Sequence, residues 1–363
     1  MAISRRGFLK SAALAGGALL FQSHSSREQD PDSVTGATPS EGAARVSGEW
    51  VPAYRTLEEE GRFSDRIDEA WEHLGRCDLC PRQCGVNRLQ GGRGLCRAPS
   101  RVVVYSAQPH FGEEIPLVGR GGSGTIFFSN CNLRCVFCQN WPIAHEGRGR
   151  EISDAELADL MLALQRLGCH NINVVTPTHV MPHILKATRL AMLQGLNLPL
   201  CYNTGGYERP EIVKLLDGIV DIYLPDIKMM NGWEARQYLG SAEDYPEMAM
   251  GSVREMHRQV GELQKDSAGI ARRGVMIRHL VMPNGIAGTA DFVRWVASEL
   301  TTSTYVNIMA QYRVEHRAFE YPPIARSITS REFVEAMQLA REAGLTNLDE
   351  RSVMQYQVHR SRV

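Results

Sequence analysis

The chain has 363 residues, enough for one large α/β barrel and a small appended module. Its formal net charge is −1, so no global field favours nucleic acid or an anionic membrane. Nine cysteines are many for an enzyme of this size, and seven of them fall into two clusters, Cys77 to Cys96 and Cys131 to Cys138, a pattern that points to metal rather than to scattered disulfides.

Residues 1–22 carry Arg5-Arg6 ahead of an apolar run from Ala12 to Phe21, which resembles a Tat export signal. The plain alternative is a basic start that matches by chance. The run is too short for an ordinary membrane span, so no stable span is expected. No cysteine follows it and no small-x-small site is evident, so both cleavage and retention stay open. Residues 23–55 are rich in Ser, Gly, Glu, Asp and Pro and read as a disordered linker.

Residues 56–120 form the expected helical and cysteine-rich metal module. Phe63, Ile67, Ala70, Trp71 and Leu74 recur at helical spacing within a helix over about 56–74, with Trp71 in the core. Cys77, Cys80 and Cys84 follow as C-x2-C-x3-C, and Cys96 comes after the glycine-rich Gly91-Gly92-Arg93-Gly94-Leu95. Four thiolates in so short a stretch suit zinc or a second 4Fe–4S cluster. Residues 101–105 read as a strand. Residues 108–124, with His110, Glu113 and Glu114, read as an irregular approach to the next domain.

Residues 121–313 alternate strand and helix. Expected strands lie at 124–128, 171–176, 199–203, 220–224, 275–281 and 305–309. Expected helices lie at 153–167, 181–194, 210–216, 232–263 and 290–300, the first with Ser153 and Glu156 as a capping box. Such alternation implies a parallel sheet with right-handed crossovers. Cys169 and Cys201, beside these strands, read as buried small hydrophobes. Residues 314–363, with a helix at about 330–343, read as a cap over the barrel end, with His316 and Tyr321 as unranked substrate contacts.

After the first of these strands comes Ser129-Asn130-Cys131-Asn132-Leu133-Arg134-Cys135-Val136-Phe137-Cys138-Gln139-Asn140-Trp141. Three thiolates on one short loop can hold three irons of a cubane cluster and leave the fourth open to a small molecule. Half a zinc site would lack a ligand, and a disulfide knot at these spacings would be strained. The loop is similar to the C-x3-C-x-aromatic-C hallmark of the radical S-adenosylmethionine (SAM) superfamily, with Phe137 in the aromatic position. Asn173-Val174-Val175-Thr176-Pro177-Thr178-His179, Tyr202-Asn203-Thr204-Gly205-Gly206-Tyr207-Glu208, Pro225-Asp226-Ile227-Lys228 and Arg278-His279-Leu280-Val281-Met282-Pro283-Asn284-Gly285 together resemble uncharacterised homologues of pyruvate formate-lyase activating enzyme. The segment around Cys77–Cys96 resembles the stretch ahead of the barrel in the same proteins.

That resemblance implies a partial (β/α)6 TIM-like barrel, with its site at the carboxyl ends of the strands. It implies a 4Fe–4S cluster on Cys131, Cys135 and Cys138, with SAM on the open iron. It implies an oxidoreductase that cleaves SAM to a 5′-deoxyadenosyl radical and takes hydrogen from a protein or peptide, as glycyl-radical activases do. A small-molecule target is the alternative, and a two-cluster electron carrier is the reading from another class. The expected cofactor contacts are Phe137, Asn140, Thr176, Asn203, Thr204, Asp226, Lys228, Arg278 and Met282. The Gly-Gly-Glu of many relatives is absent, and Thr176 and Thr178 stand there instead. His179 reads equally as a base or as packing. Asn203, Thr204 and Asp226 form an oxygen-rich spot suited to a monovalent cation, while Lys228 and Arg278 suit the SAM carboxylate. Gln311, Tyr312 and Arg313 are possible substrate contacts. A flavodoxin or ferredoxin would be the electron donor. An exported location is in tension with the cytoplasmic supply of SAM, and cytoplasmic retention is the alternative.

Overall fold

Residues 50–363 are described by the computed structural model. The twin-arginine segment at 1–22 and most of the expected linker lie outside them, and from Ala53 onward the chain is already helical. Among the described residues no helix is long and apolar enough to cross a membrane.

The elements run α1 (Ala53–Glu59), α2 (Phe63–Gly75), β1 (Val102–His110), α3 (Ile115–Val118), β2 (Ser123–Phe128), α4 (Trp141–Ala144), β3 (Arg150–Ile152), α5 (Asp154–Arg166), β4 (Ile172–Val175), α6 (Met181–Leu193), β5 (Leu200–Thr204), α7 (Pro210–Val213), β6 (Ile222–Pro225), α8 (Gly232–Tyr238), α9 (Tyr245–Val260), β7 (Gln264–Lys265), β8 (Ala271–Leu280), α10 (Thr289–Glu299), β9 (Tyr305–Met309), α11 (Ser330–Glu342) and α12 (Glu350–Arg360). The expected helix over 56–74 is two helices, because Gly61 turns the chain at φ +71°. Phe63, Ala70 and Leu74 are buried on α2, and Trp71 packs its ring edge-on to His183 at 4.8 Å. The capping box is present: Ser153 accepts from Glu156 N, and Glu156 returns to Ser153 N.

The sheet order is β3-β1-β2-β4-β5-β6-β8, with β9 paired to β8. From β2 to β9 the six principal strands run parallel, which makes the partial barrel. The sheet is nevertheless mixed. β1 lies antiparallel between β2 and β3, and the small β7 is antiparallel on β8. β1 extends beyond the expected 101–105 to His110. Pro109 is tolerated there because β3 pairs only with Val102–Val104, so its missing N–H faces no partner strand. Residues 102–118 are therefore continuous with the barrel sheet rather than with a separate metal module.

Outward strand residues such as Ile126, Val174, Tyr202, Tyr223, Ile277 and Ile308 pack against the helices in one large core. Inward residues Cys201, Ile222, Leu224, Met276 and Tyr305 enclose Leu117 from α3. The link between β1 and β2 thus plugs the barrel interior. Cys169 and Cys201 are both buried, as small hydrophobes would be.

Candidate functional site

The carboxyl ends of the parallel strands open into a cavity of about 630 Å³. The period of two along each strand selects what faces it. β2 contributes Phe127, β4 Val175, β5 Asn203, β8 Arg278 and Leu280, and β9 Asn307 and Met309. Thr176, Thr204, Asp226 and Lys228 stand at or just past strand ends and line the same space.

The three-cysteine loop forms one wall. It leaves β2 through Asn130, whose φ is +74°. Its backbone is pinned on both sides. Val136 N and Arg134 N donate to Tyr238 O and Leu239 O at the end of α8, and Asn132 Nδ2 donates to Tyr207 O at 2.6 Å. Leu133 N donates to Cys131 Sγ, and Cys138 N to Cys135 O. Cys131, Cys135 and Cys138 all reach the cavity, with Phe137 between them and Asn140 at the rim. Burial pushes the thiols up to about 12, 12 and 11. Only an adjacent cationic centre would turn them into thiolates at neutral pH.

The donor set fits a cubane with an open corner. Among the described residues no three of His, Cys, Asp and Glu converge closely enough to grip a single metal ion. A cubane takes each thiolate on a different iron, so the donors stand apart. All nine cysteines are free thiols, so no disulfide competes.

Opposite the cysteines lie two ion pairs. Lys228 Nζ bonds Asp226 Oδ2. Burial would lower the Lys228 ammonium, but Asp226 and then Cys135 hold it above its usual range. Arg278 donates from Nε to Glu114 Oε1 at 2.7 Å and from Nη2 to Glu114 Oε2 at 2.6 Å. Nη2 also meets Glu113, and Nη1 reaches Asn203 Oδ1 at 3.4 Å. Burial would raise the Glu114 carboxyl, yet Arg278 keeps it below the ordinary range. The guanidinium expected to hold the SAM carboxylate is thus largely occupied by protein carboxylates.

Other expected contacts are placed elsewhere. The Thr204 hydroxyl donates to Glu208 Oε1, as does Thr178 at 2.5 Å, so the oxygen-rich spot of Asn203, Thr204 and Asp226 is divided among Arg278, Glu208 and Lys228. Thr178 is buried away from the cavity. His179 is buried and does not line the cavity: its Nε2 bonds Ser129 O at 2.8 Å, and burial lowers it to about 3. Met282 is buried in the neighbouring apolar cluster with Phe137 and Tyr312 and does not line the cavity. Tyr312 turns its hydroxyl to Ile324 O, and Tyr321 packs on Tyr238. Arg313 does not line the cavity either. His316 stacks on Trp141 and faces a second, 290 Å³ pocket with Arg97, Arg134 and His145. Gln311 and His110 do line the main cavity.

Sequence reasoning missed Glu208, Asn307, Arg351 and Gln355. Asn307 Nδ2 donates to Glu114 Oε1 at 2.7 Å. Arg351 and Gln355 bring α12 to the cavity rim, where Arg351 Nη1 holds Gly112 O at 2.8 Å. The available signal was Asp349, whose side chain caps α12 by accepting from Arg351 N and Ser352 N.

The Radical SAM superfamily model matches residues 125–259. The protein MJ0674 of Methanocaldococcus jannaschii, named as uncharacterized, is 33% identical over 290 residues, covering 77% of this chain and 78% of that protein. MJ0808 of the same organism, also named as uncharacterized, is 25% identical over 315 residues, 79% of this chain and 81% of that one. Among solved structures, a radical SAM methyltransferase from Sphaerobacter thermophilus is similar at a TM-score of 0.42 with 13% identity, covering 80% of this chain and 90% of that one.

Proposed function

The chain belongs to the radical SAM superfamily, and from that premise we propose that it cleaves SAM reductively and abstracts hydrogen from a protein or peptide, in the manner of glycyl-radical activating enzymes. The observation that carries this reading is the sharing of one 630 Å³ cavity by Cys131, Cys135, Cys138, Lys228 and Asn203. The three cysteines would hold a 4Fe–4S cluster. When bound, it supplies one low-potential electron and an open iron for the amino and carboxylate groups of SAM, from which the 5′-deoxyadenosyl radical derives.

The chain's own residues then bind, orient and shield. Lys228 is a point charge suited to a carboxylate, held in place by Asp226. Asn203, whose Oδ1 accepts from Arg278, offers its Nδ2 to ribose hydroxyls, while Asn307 is held by Glu114 and Ser352 and shapes the wall. Phe127, Phe137, Leu280 and Met309 form an apolar lining that keeps water from a reactive radical. The rim is polar, with Gln139, Asn140, Gln311, Arg351 and Gln355, a composition that suits the backbone of a peptide. A carrier with two closed clusters would have no use for such a cavity. A flavodoxin- or ferredoxin-type protein supplies the electron in this reading. Export through residues 1–22 is a proposal from the sequence alone, tested by fractionating cells that carry Arg5→Lys with Arg6→Lys.

The decisive experiment is anaerobic reconstitution with iron and sulfide, followed by dithionite and SAM. Formation of 5′-deoxyadenosine is expected; its absence with an intact cluster signal would overturn the reading. Transfer of deuterium from a deuterated peptide, rather than from a small metabolite, into 5′-deoxyadenosine separates the two substrate classes.

A further inference from the structure

We infer that Cys77, Cys80, Cys84 and Cys96 hold a second iron–sulfur cluster, closed by four thiolates and braced against the first cysteine loop. Residues 76–101, between α2 and β1, contain a single short turn, Arg88–Gln90, as regular structure. A run of this length without regular structure in a compact domain needs some other tie. Its buried apolar side chains are few, chiefly Leu79 and Ala98, apart from the cysteines themselves. Cys77, Cys80 and Cys96 are buried, Cys84 is half-buried, and all four are free thiols.

The backbone is folded to gather these sulfurs. Cys77 N donates to Val86 O at 2.8 Å, and Gly85 N returns to Cys77 O at 2.9 Å. Gln83 N donates to Cys80 O at 3.0 Å. Gln83 and Gly85 both hold positive φ, at 38° and 66°, and such strain in a non-glycine residue persists only where its surroundings enforce it. Leu95 N donates to Cys84 Sγ at 3.4 Å, as a peptide does to a ligating sulfur. A Cβ on Gly94 would stand 2.7 Å from Cys84 Sγ, so only glycine lets the two strands of the loop close.

The spacing of the donors distinguishes the metals. A tetrahedral zinc draws its four sulfurs onto one point. Among the described residues no such convergence of three or more donors occurs, either here or at Cys131–Cys138. The four sulfurs nevertheless share one neighbourhood: beyond the effect of burial, Cys96 and Cys77 raise the Cys80 thiol, and Cys77 and Cys84 raise that of Cys96, as expected of donors that a multi-iron centre could bridge.

The two loops also clasp each other. Arg82, between Cys80 and Cys84, donates from Nε to Asn132 O at 3.2 Å, beside Cys131. Arg134, between Cys131 and Cys135, donates from Nη2 to Leu95 O at 2.8 Å, beside Cys96. Each guanidinium thus lies between two thiolate-rich sites, where its charge offsets theirs. With four protein thiolates and no open iron, the second centre binds no SAM, and its chemistry is limited to holding the loop and exchanging electrons.

The test uses the full chain reconstituted anaerobically. The wild type is expected to carry about eight irons per chain and the Cys131→Ala/Cys135→Ala/Cys138→Ala variant about four. That variant should give, after dithionite, a reduced-cluster paramagnetic resonance signal that added SAM does not change. The Cys77→Ser/Cys80→Ser/Cys84→Ser/Cys96→Ser variant should lose about half the wild-type iron and keep a SAM-responsive signal. Zinc in place of iron in the first variant, or a wild type with about four irons, would overturn the inference. These counts do not depend on SAM cleavage, so the second centre and the proposed activity can fail separately.

Discussion

Arg278 and Glu114, 164 residues apart in the chain, meet in a two-point ion pair at 2.7 and 2.6 Å. The pair ties the β1–β2 connection to β8, and Asn307 extends the same tie to β9. The plug of the barrel interior is thereby anchored by charge as well as by the packing of Leu117. Glu114→Ala should destabilise the fold by about 3–5 kcal/mol, because it leaves the Arg278 guanidinium half-paired in a largely buried place. Denaturant unfolding measures this. A loss under about 1 kcal/mol would mean that Glu113 alone satisfies Arg278.

Cys138→Ala should abolish 5′-deoxyadenosine formation and remove the SAM-responsive part of the cluster signal. Two remaining thiolates cannot hold a cubane that needs three. An unchanged yield would remove Cys138 from the ligand set.

Lys228→Met should weaken SAM binding on the order of tenfold, the loss of one charge-assisted contact in a partly wet site. Binding of labelled SAM to the reconstituted chain reads this directly. Asp226→Asn should weaken it less, since the ammonium remains and only its anchor is lost. Equal and undiminished affinity in both variants would place the SAM carboxylate elsewhere.

Thr176→Gly should stabilise the chain. Thr176 holds φ +60°, a conformation that costs a β-branched residue about 1–2 kcal/mol. Glycine removes that strain and adds about 0.5–1 kcal/mol of unfolded-state entropy. The balance is a gain of about 0.5–1 kcal/mol in denaturant unfolding. A net loss would show that the threonine side chain has a stronger attachment in the cavity wall than its geometry suggests.

Burial pushes the Glu208 carboxyl up to about 7, against the opposing hydroxyls of Thr178 and Thr204. The folded chain therefore keeps it protonated where the unfolded chain has already ionised it. The stability it contributes is full below the ordinary carboxylate range, falls as pH rises from there, and is gone above about 7. Asp221, also raised to about 7 by burial, adds a parallel slope. Glu208→Gln should flatten part of the decline, so the variant gains on the wild type as pH increases. Unfolding curves across that interval check the sign; a variant that loses ground with rising pH would contradict a neutral Glu208.

Elements carried by local pattern were legible. Ser153 and Glu156 announce α5, and the strands from β2 to β9 follow from apolar runs between turn residues. The direction of β1 was not legible, because its residues pattern alike whether parallel or antiparallel. Tyr105 and Gln108 look the same from either side, and only pairing with β2 and β3 decides. Glu113 and Glu114 read as an irregular approach because their partners, Arg278 and Asn307, lie far along the chain. Glu208 passed as part of a motif, since nothing local tells that Thr178 and Thr204 will both turn to it.

The sequence by itself determined which atoms sit together on the cysteine loop. Six residues lie between Cys131 and Cys138, and so short a tether cannot take the three cysteines far apart. It also determined that Asn203, Asp226, Lys228 and Arg278 would share one end of the barrel, because each stands near or just past the carboxyl end of a parallel strand. Only the tertiary structure decided which of them are available. Buried charges and hydroxyls take the partners that the closed barrel brings within hydrogen-bond reach, and those partners are set by packing between strands rather than by neighbours in the chain. Thus Lys228 stands at the cavity beside Asp226, Arg278 is claimed by Glu114, and Thr204 turns away to Glu208.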